Sequence, residues 1–246
     1  DILRFDDAAM QKIRGNQISM VFQEPLTSLN PVFTIGDQIG EAISAHEKIE
    51  QNELNSRCVE LLKAMDIPSP VQRLKDYPHQ LSGGQRQRVM IAMALSCNPD
   101  LIIADEPTTA LDVTVQAQIL NLLRSIQKRV SMSILYITHD LGVVSGIADR
   151  VYVMYAGLIV EQGDTRQVFG NPRHPYTQGL LASLPNRSKR GQRLHNIPGA
   201  VPNPAYKPKG CPFHPRCSHA VPDCKITLPE IMHLGEGHWS RCPVLN

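Results

Sequence analysis

Residues 101–107 read LIIADEP, an apolar run that passes straight into Asp105 and Glu106. A run of this kind resembles a strand buried in a parallel sheet, and it delivers two carboxylates to the sheet's carboxyl edge, where α/β proteins bind ligands. Two further stretches repeat the pattern. ISMVF (18–22) ends at Gln23, and SILYI (133–137) runs into Thr138, His139 and Asp140. If the three strands are parallel neighbours, Gln23, the Asp-Glu pair and His139 line up along one edge.

Helical patterns fill the intervals. Residues 36–65 read mostly as helix, with an apolar stripe through AISAHEKIEQNELNSRCVELLKAM. Ser82 suits the cap of a helix from about Gln85 to Leu95, residues 113–129 read as a further helix, and RVYVMYAGLIVEQG (150–163) suits a hairpin. Strands alternating with helices favour a largely parallel sheet. Composition then shifts near residue 170, and twelve of the nineteen prolines follow it. Proline removes a backbone donor and fixes φ, so that segment is expected to be irregular. The expected division is a mixed α/β domain at 1–170, with its helical part at about 36–96, and an irregular extension at 171–246.

Charge and hydropathy exclude some roles. Lys plus Arg number 25 against 23 Asp plus Glu, a net +2, and no basic block interleaved with aromatics is present, so nucleic acid is not an expected partner. No apolar run reaches the roughly 18 residues that span a bilayer, so a membrane role requires other subunits. The opening DILRFDDAAM carries no signal-peptide pattern and no initiating Met, and the chain is read as a fragment.

The chemistry concentrates in YPHQLSGGQRQRVMIAMAL (77–95) and the strand ends. Ser-Gly-Gly opening a helix presents backbone N–H groups at the positive end of the helix dipole, and glycines let an anion approach closely. Alone this is an ordinary capped helix. Asp105 is a hard oxygen ligand suited to Mg²⁺, and a neighbouring Glu can take a proton from water. A His can contact a terminal phosphate, and a Gln can orient water.

In order and spacing, VFQEP, LSGGQRQR, LIIADEPTTALD and YITHD resemble the Q-loop, signature, Walker B with D-loop, and switch-His motifs of ABC-type ATPases. The resemblance implies a P-loop NTPase fold of the ABC class with a helical subdomain, and ATP and Mg²⁺ as ligands. It implies that Asp105 holds Mg²⁺ through water, Glu106 is the general base, His139 contacts the γ-phosphate and Gln23 couples the metal site to transport subunits. Ser82, Gly83, Gly84 and Gln85 would grip the γ-phosphate of a nucleotide bound mainly to a partner ATPase subunit, and Asp112 would communicate between the two sites.

No GxxxxGK[ST] phosphate loop occurs in these residues. In the resembled family it lies upstream of the Q-loop. Because Glu106, His139 and LSGGQ are intact, truncation is expected rather than a degenerate subunit that lends only its signature motif. These residues alone are expected to hydrolyse ATP negligibly. A soluble ABC ATPase acting on DNA or ribosomes would call for coiled-coil insertions or tandem halves, and neither is present.

QEPLTSLNPVFTIGDQI (23–39), DVTVQAQIL (112–120) and NPRHPYTQGLLASLP (171–185) narrow the resemblance to ATP-binding subunits of oligopeptide and dipeptide importers, a group that includes nickel importers. SLNPVFT is closer to the first of the two paired ATPase subunits. Implied partners are a second ATPase subunit, two transmembrane permease subunits and, indirectly, a solute-binding protein, with the chain peripheral on the cytoplasmic membrane face.

Cys58 and Cys97 read as small core residues. Cys211, Cys217, Cys224 and Cys242 crowd the tail as C-x5-C-x6-C-x17-C, a set able to hold tetrahedral Zn²⁺ or an iron–sulfur cluster. The matching family tail implies a [4Fe–4S] cluster, with zinc the alternative. His214, His219 and His238 are nearby substitute ligands.

Overall fold

The computed structural model describes residues 1–109, 111–184 and 195–244. Ala110 of TTALD and Pro185 of the 171–185 stretch lie outside the described residues. The chain forms two compact units, Asp1–His139 and Asp140–Asn246.

The first unit runs α1 (Asp7–Ile13), β1 (Ile18–Val21), α2 (Pro25–Ser28), α3 (Ile35–Ser44), α4 (Gln51–Ala64), α5 (Pro70–Arg73), α6 (Gly83–Leu95), β2 (Leu101–Asp105), α7 (Val113–Val130) and β3 (Ser133–Ile137). The strands pair in the order β1-β2-β3, all parallel, with Met20, Ile103 and Leu135 in one row and Val21, Ala104 and Tyr136 in the next. Because strand side chains alternate, one face carries buried Val21, Ile102 and Ala104 into the core. Helices fill that core with stripes at helical spacing: Ile35, Ile39 and Ile43 from α3, and Ile119, Leu123 and Ile126 from α7. The opposite face leaves Met20, Leu135 and Ile137 exposed.

The helix expected over 36–65 is two helices. Thr34 starts α3 through a reciprocal cap with Asp37, and the chain leaves helix after Ala45 before α4 begins at Gln51. Tertiary contacts hold this break. Ile49 packs on the core, and the Arg57 guanidinium bonds both Glu47 and the Ser96 carbonyl.

The second unit contains α8 (Leu141–Ile147), β4 (Arg150–Tyr155), β5 (Leu158–Asp164), α9 (Thr165–Gly170), α10 (Pro175–Ala182), β6 (Met232–Gly235) and β7 (His238–Ser240). The expected hairpin is β4–β5, turning through Ala156 (φ +48°) and Gly157 (φ +81°), the left-handed pair that matches strand twist in two-residue hairpins. This sheet is antiparallel, in the order β4-β5-β7-β6.

The segment after 171 is thus less irregular than its prolines suggest. It supplies α10, and its β7 pairs Trp239 with Gln162 and Ser240 with Glu161. The Trp239 indole N–H donates to Gln162 Oε1 at 2.9 Å. Tyr155, Tyr176 and Phe213 meet at ring-centroid distances of 4.6–5.4 Å, and they pack with Val151, Val153 and Val160.

Glu161 is fully buried at the heart of this unit. Its carboxylate accepts the Arg173 amide (2.7 Å) and the His174 amide (2.9 Å), and lies 3.0 Å from His238 Nε2. Those donors replace the water the carboxylate gives up. His174 is also buried, its Nδ1 accepting the Tyr176 amide at 3.1 Å.

Burial pushes the His174 ring down to about 4 from its ordinary 6.5. As pH falls, the unfolded chain therefore protonates first. Stability contributed by His174, fully present above about 6.5, declines between there and about 4 by on the order of 3 kcal/mol and then levels off. Unfolding midpoints in denaturant, measured across this range for His174→Phe, should show a shallower pH slope than the unsubstituted chain.

Candidate functional site

Parallel register sets three strand ends side by side. Gln23 follows β1 by two residues, Asp105 ends β2 with Glu106 beside it, and His139 follows β3 by two. The Glu106 carboxylate joins them. Its Oε2 accepts from Gln23 Nε2 at 2.9 Å and from Thr109 Oγ1 at 2.7 Å, and its Oε1 lies 3.0 Å from His139 Nδ1. Sequence reasoning brought Gln23, Glu106 and His139 to this edge. It missed Thr109, whose only signal was its place three residues after the acid.

Glu106 adopts φ +43°, a left-handed conformation that costs about 1–3 kcal/mol for a residue with a side chain. Local bonds hold it there. Its N–H donates to the Ile137 carbonyl (2.8 Å), and its carbonyl accepts the Thr109 amide (3.1 Å). Hydrogen bonds from Thr109, then His139, then Gln23 hold the Glu106 carboxyl below the usual carboxylate range. The His139 side chain is 77% exposed, so its ring is open to an incoming group.

Asp105 is half-buried at the end of β2, and no side-chain hydrogen bond among the described residues ties it to this cluster. A carboxylate with open lone pairs at the sheet edge suits a hard cation such as Mg²⁺.

Ser82 caps α6 reciprocally. Its hydroxyl accepts the Gln85 amide (3.3 Å), and Gln85 Oε1 accepts the Ser82 amide (3.0 Å). The amides of Gly83 and Gly84 lie in the first turn, where helix N–H groups lack intrahelical acceptors. Ser82 is exposed, so this turn faces outward from its own core. Gly84 has a packing reason as well: a Cβ there would lie 2.9 Å from Val115 Cγ1. Asp112 caps α7 by accepting the Val115 amide at 3.0 Å, and it too is exposed.

In the second unit, Cys211, Cys217, Cys224 and Cys242 line one cavity, together with His214 and His219. Cys211, Cys217 and Cys224 are free thiols. Gly210, at φ +70°, sets the first of them: a Cβ would meet the Cys224 carbonyl at 2.4 Å, the same oxygen that accepts the Cys211 amide at 2.8 Å. Burial pushes the Cys211 and Cys217 thiols up, and neighbouring cysteines add to the effect. Among the described residues, no three His, Cys, Asp or Glu side chains are grouped as a single metal ion requires. His238 is corrected as a candidate ligand. Its Nε2 is engaged by Glu161, because a fully buried carboxylate requires a donor. His174, which sequence reasoning passed over, lines the cavity instead.

Comparison with known proteins identifies the family. Residues 2–109 match the ABC transporter family, and residues 160–224 match the oligopeptide/dipeptide transporter C-terminal region. A Brucella ovis protein named as a peptide import ATP-binding protein is 55% identical over 248 residues, 98% of this chain and 73% of that protein. The oligopeptide transport ATP-binding protein AppD of Bacillus subtilis is 51% identical over 242 residues, 98% of this chain and 74% of AppD. Among solved structures, the dimeric ATP-binding cassette MJ0796 bound to ADP and Pi superposes with a TM-score of 0.59 at 31% identity, covering 66% of this chain and 69% of that one. CbiO1 of Clostridium perfringens, part of the ABC transporter complex cbiONQ, gives 0.56 at 32% identity over 63% of this chain and 60% of its own.

Fold and strand-end cluster together define an α/β ATPase of the ABC class. The chain belongs to the oligopeptide/dipeptide importer family of ABC transporter ATP-binding proteins. No helix among the described residues is long and apolar enough to cross a membrane.

Substituting Gly84→Ala should force α6 and α7 apart at Val115 and lower stability by about 1–3 kcal/mol, as overpacking does. Equilibrium denaturation of the variant measures it, with Gly83→Ala as the milder comparison, since its Cβ would meet Leu111 only at 3.8 Å.

Proposed function

We propose that this chain powers peptide import as one ATPase subunit of a transporter, paired with a second ABC ATPase and docked on two membrane-spanning permease subunits at the cytoplasmic face. A solute-binding protein acts through those permeases and does not touch the chain. The observation that carries the reading is the single carboxylate, Glu106, joined to Gln23 and His139 across three strand ends.

In this reading Glu106 takes the proton from the attacking water, and His139 donates to the γ-phosphate. Asp105 would hold Mg²⁺, which neutralises charge on the phosphates. Gln23, bonded to Glu106 and followed by the α2 segment, reports the state of the site toward the permeases. Ser82, Gly83, Gly84 and Gln85 face the partner's nucleotide, with Gly83 and Gly84 supplying backbone donors, and Asp112 lies at the start of α7 to sense the paired site. Residues 1–246 contain no GxxxxGK[ST].

The four cysteines would hold a [4Fe–4S] cluster that staples the proline-rich tail. They share one cavity, and four cysteines are the usual ligand set of such a cluster, with zinc the alternative.

Two measurements test these assignments. In the assembled transporter, Glu106→Gln should lower ATP turnover by roughly a hundred-fold or more while ATP still binds; unchanged turnover would remove Glu106 as the base. Anaerobic purification followed by iron, sulfide and zinc analysis should return about four irons per chain, and stoichiometric zinc without sulfide would overturn the cluster.

A further inference from the structure

The strand-end cluster contains one residue to which the reading above gives no role. Thr109 lies three residues after Glu106 and three before Asp112, and it grips Glu106 twice. Its Oγ1 donates to Glu106 Oε2 at 2.7 Å, the shortest of the three contacts to that carboxylate, and its amide donates to the Glu106 carbonyl at 3.1 Å. The two other contacts, from Gln23 and His139, measure 2.9 and 3.0 Å. They come from segments that leave neighbouring strands, and His139 is largely exposed. Gln23 and His139 therefore have alternative partners once nucleotide arrives. Thr109 is half-buried, and it is fixed to Glu106 through the intervening short turn.

We propose that Thr109 is a positioning residue for the general base: its hydroxyl, bonded to Oε2, orients the Glu106 carboxylate so that Oε1 is the oxygen presented to water. This rests on the reading of Glu106 as the base. The left-handed backbone at Glu106 gives the device a purpose. A side chain on a turn at φ +43° is not aimed by regular strand or helix geometry, and a hydroxyl three residues on supplies the missing restraint. Valine keeps the shape of threonine and loses only the hydroxyl's bonding, whereas serine keeps the bonding and loses a methyl. The pair separates orientation from packing.

The test uses the assembled transporter, with ATP turnover as a function of ATP concentration and ATP-dependent closure of the subunit pair read by cross-linking. Thr109→Val should lower kcat by roughly ten- to a hundred-fold, the effect of one hydrogen bond to a charged group, with KM for ATP and closure unchanged. Thr109→Ser should restore most of kcat. Thr109→Ala serves as the second variant if the valine protein does not assemble, and it should behave as the valine does. Wild-type kcat in Thr109→Val, a rise in KM with kcat intact, or a serine variant as impaired as the valine would each overturn the proposal. Glu106→Gln run beside them tells the two failures apart. If it retains turnover, the reading of the base has failed; if it is inactive while Thr109→Val is normal, only the positioning role has.

Discussion

Parallel register in β1, β2 and β3 is the constraint on which core and site both depend. The same alignment that places Val21, Ile102 and Ala104 against the helices brings Gln23 and His139 to within about hydrogen-bond distance of one carboxylate. A one-residue slip of β1 would displace Gln23 by about 3.3 Å along the strand and turn Val21 out to the exposed face. Contact with Glu106 would be lost together with core burial. Hydrophobic packing thus specifies the geometry of the polar edge.

That coupling explains what could be read from the chain. LIIAD, ISMV and SILYI are short apolar runs, and a run of that length flanked by helical patterns has few other ways to be buried. Once those strands are assigned, their polar followers must meet at one edge. Ser82 was legible as a helix cap, because a Ser ahead of a helical pattern is a favoured N-cap; the reciprocal bond from Gln85 came only with the structure. Thr109 was not legible. A hydroxyl in a turn bonds whatever the turn brings near, and only the left-handed conformation of Glu106 decides that this is the carboxylate. The break between α3 and α4 was hidden likewise, because it depends on Arg57 reaching Glu47 and Ser96 across the fold.

Proline content misled more in the second unit. Proline excludes a residue from a ladder without excluding its neighbours, and HWS needs only three residues to pair with β5. What organises this unit is a polar group that composition does not reveal. Glu161 sits on β5 and accepts amides from the turn leading into α10 and a contact from His238 on β7, so one buried carboxylate ties together three separate elements. A buried charge is costly unless its lone pairs are filled. That requirement, rather than metal binding, accounts for His238.

The hydrogen bonds of Glu106 also bear on how the proposed base works. With Oε2 bonded to Thr109 and Gln23 and Oε1 beside His139, hydrogen bonding favours the charged form of the carboxylate. On the proposed reading, a γ-phosphate that engages the exposed His139 ring withdraws the donor from Oε1 while the Thr109 bond to Oε2 stays in place. On the proposed reading, the phosphate that is to be attacked is then what uncovers the oxygen that activates the attacking water.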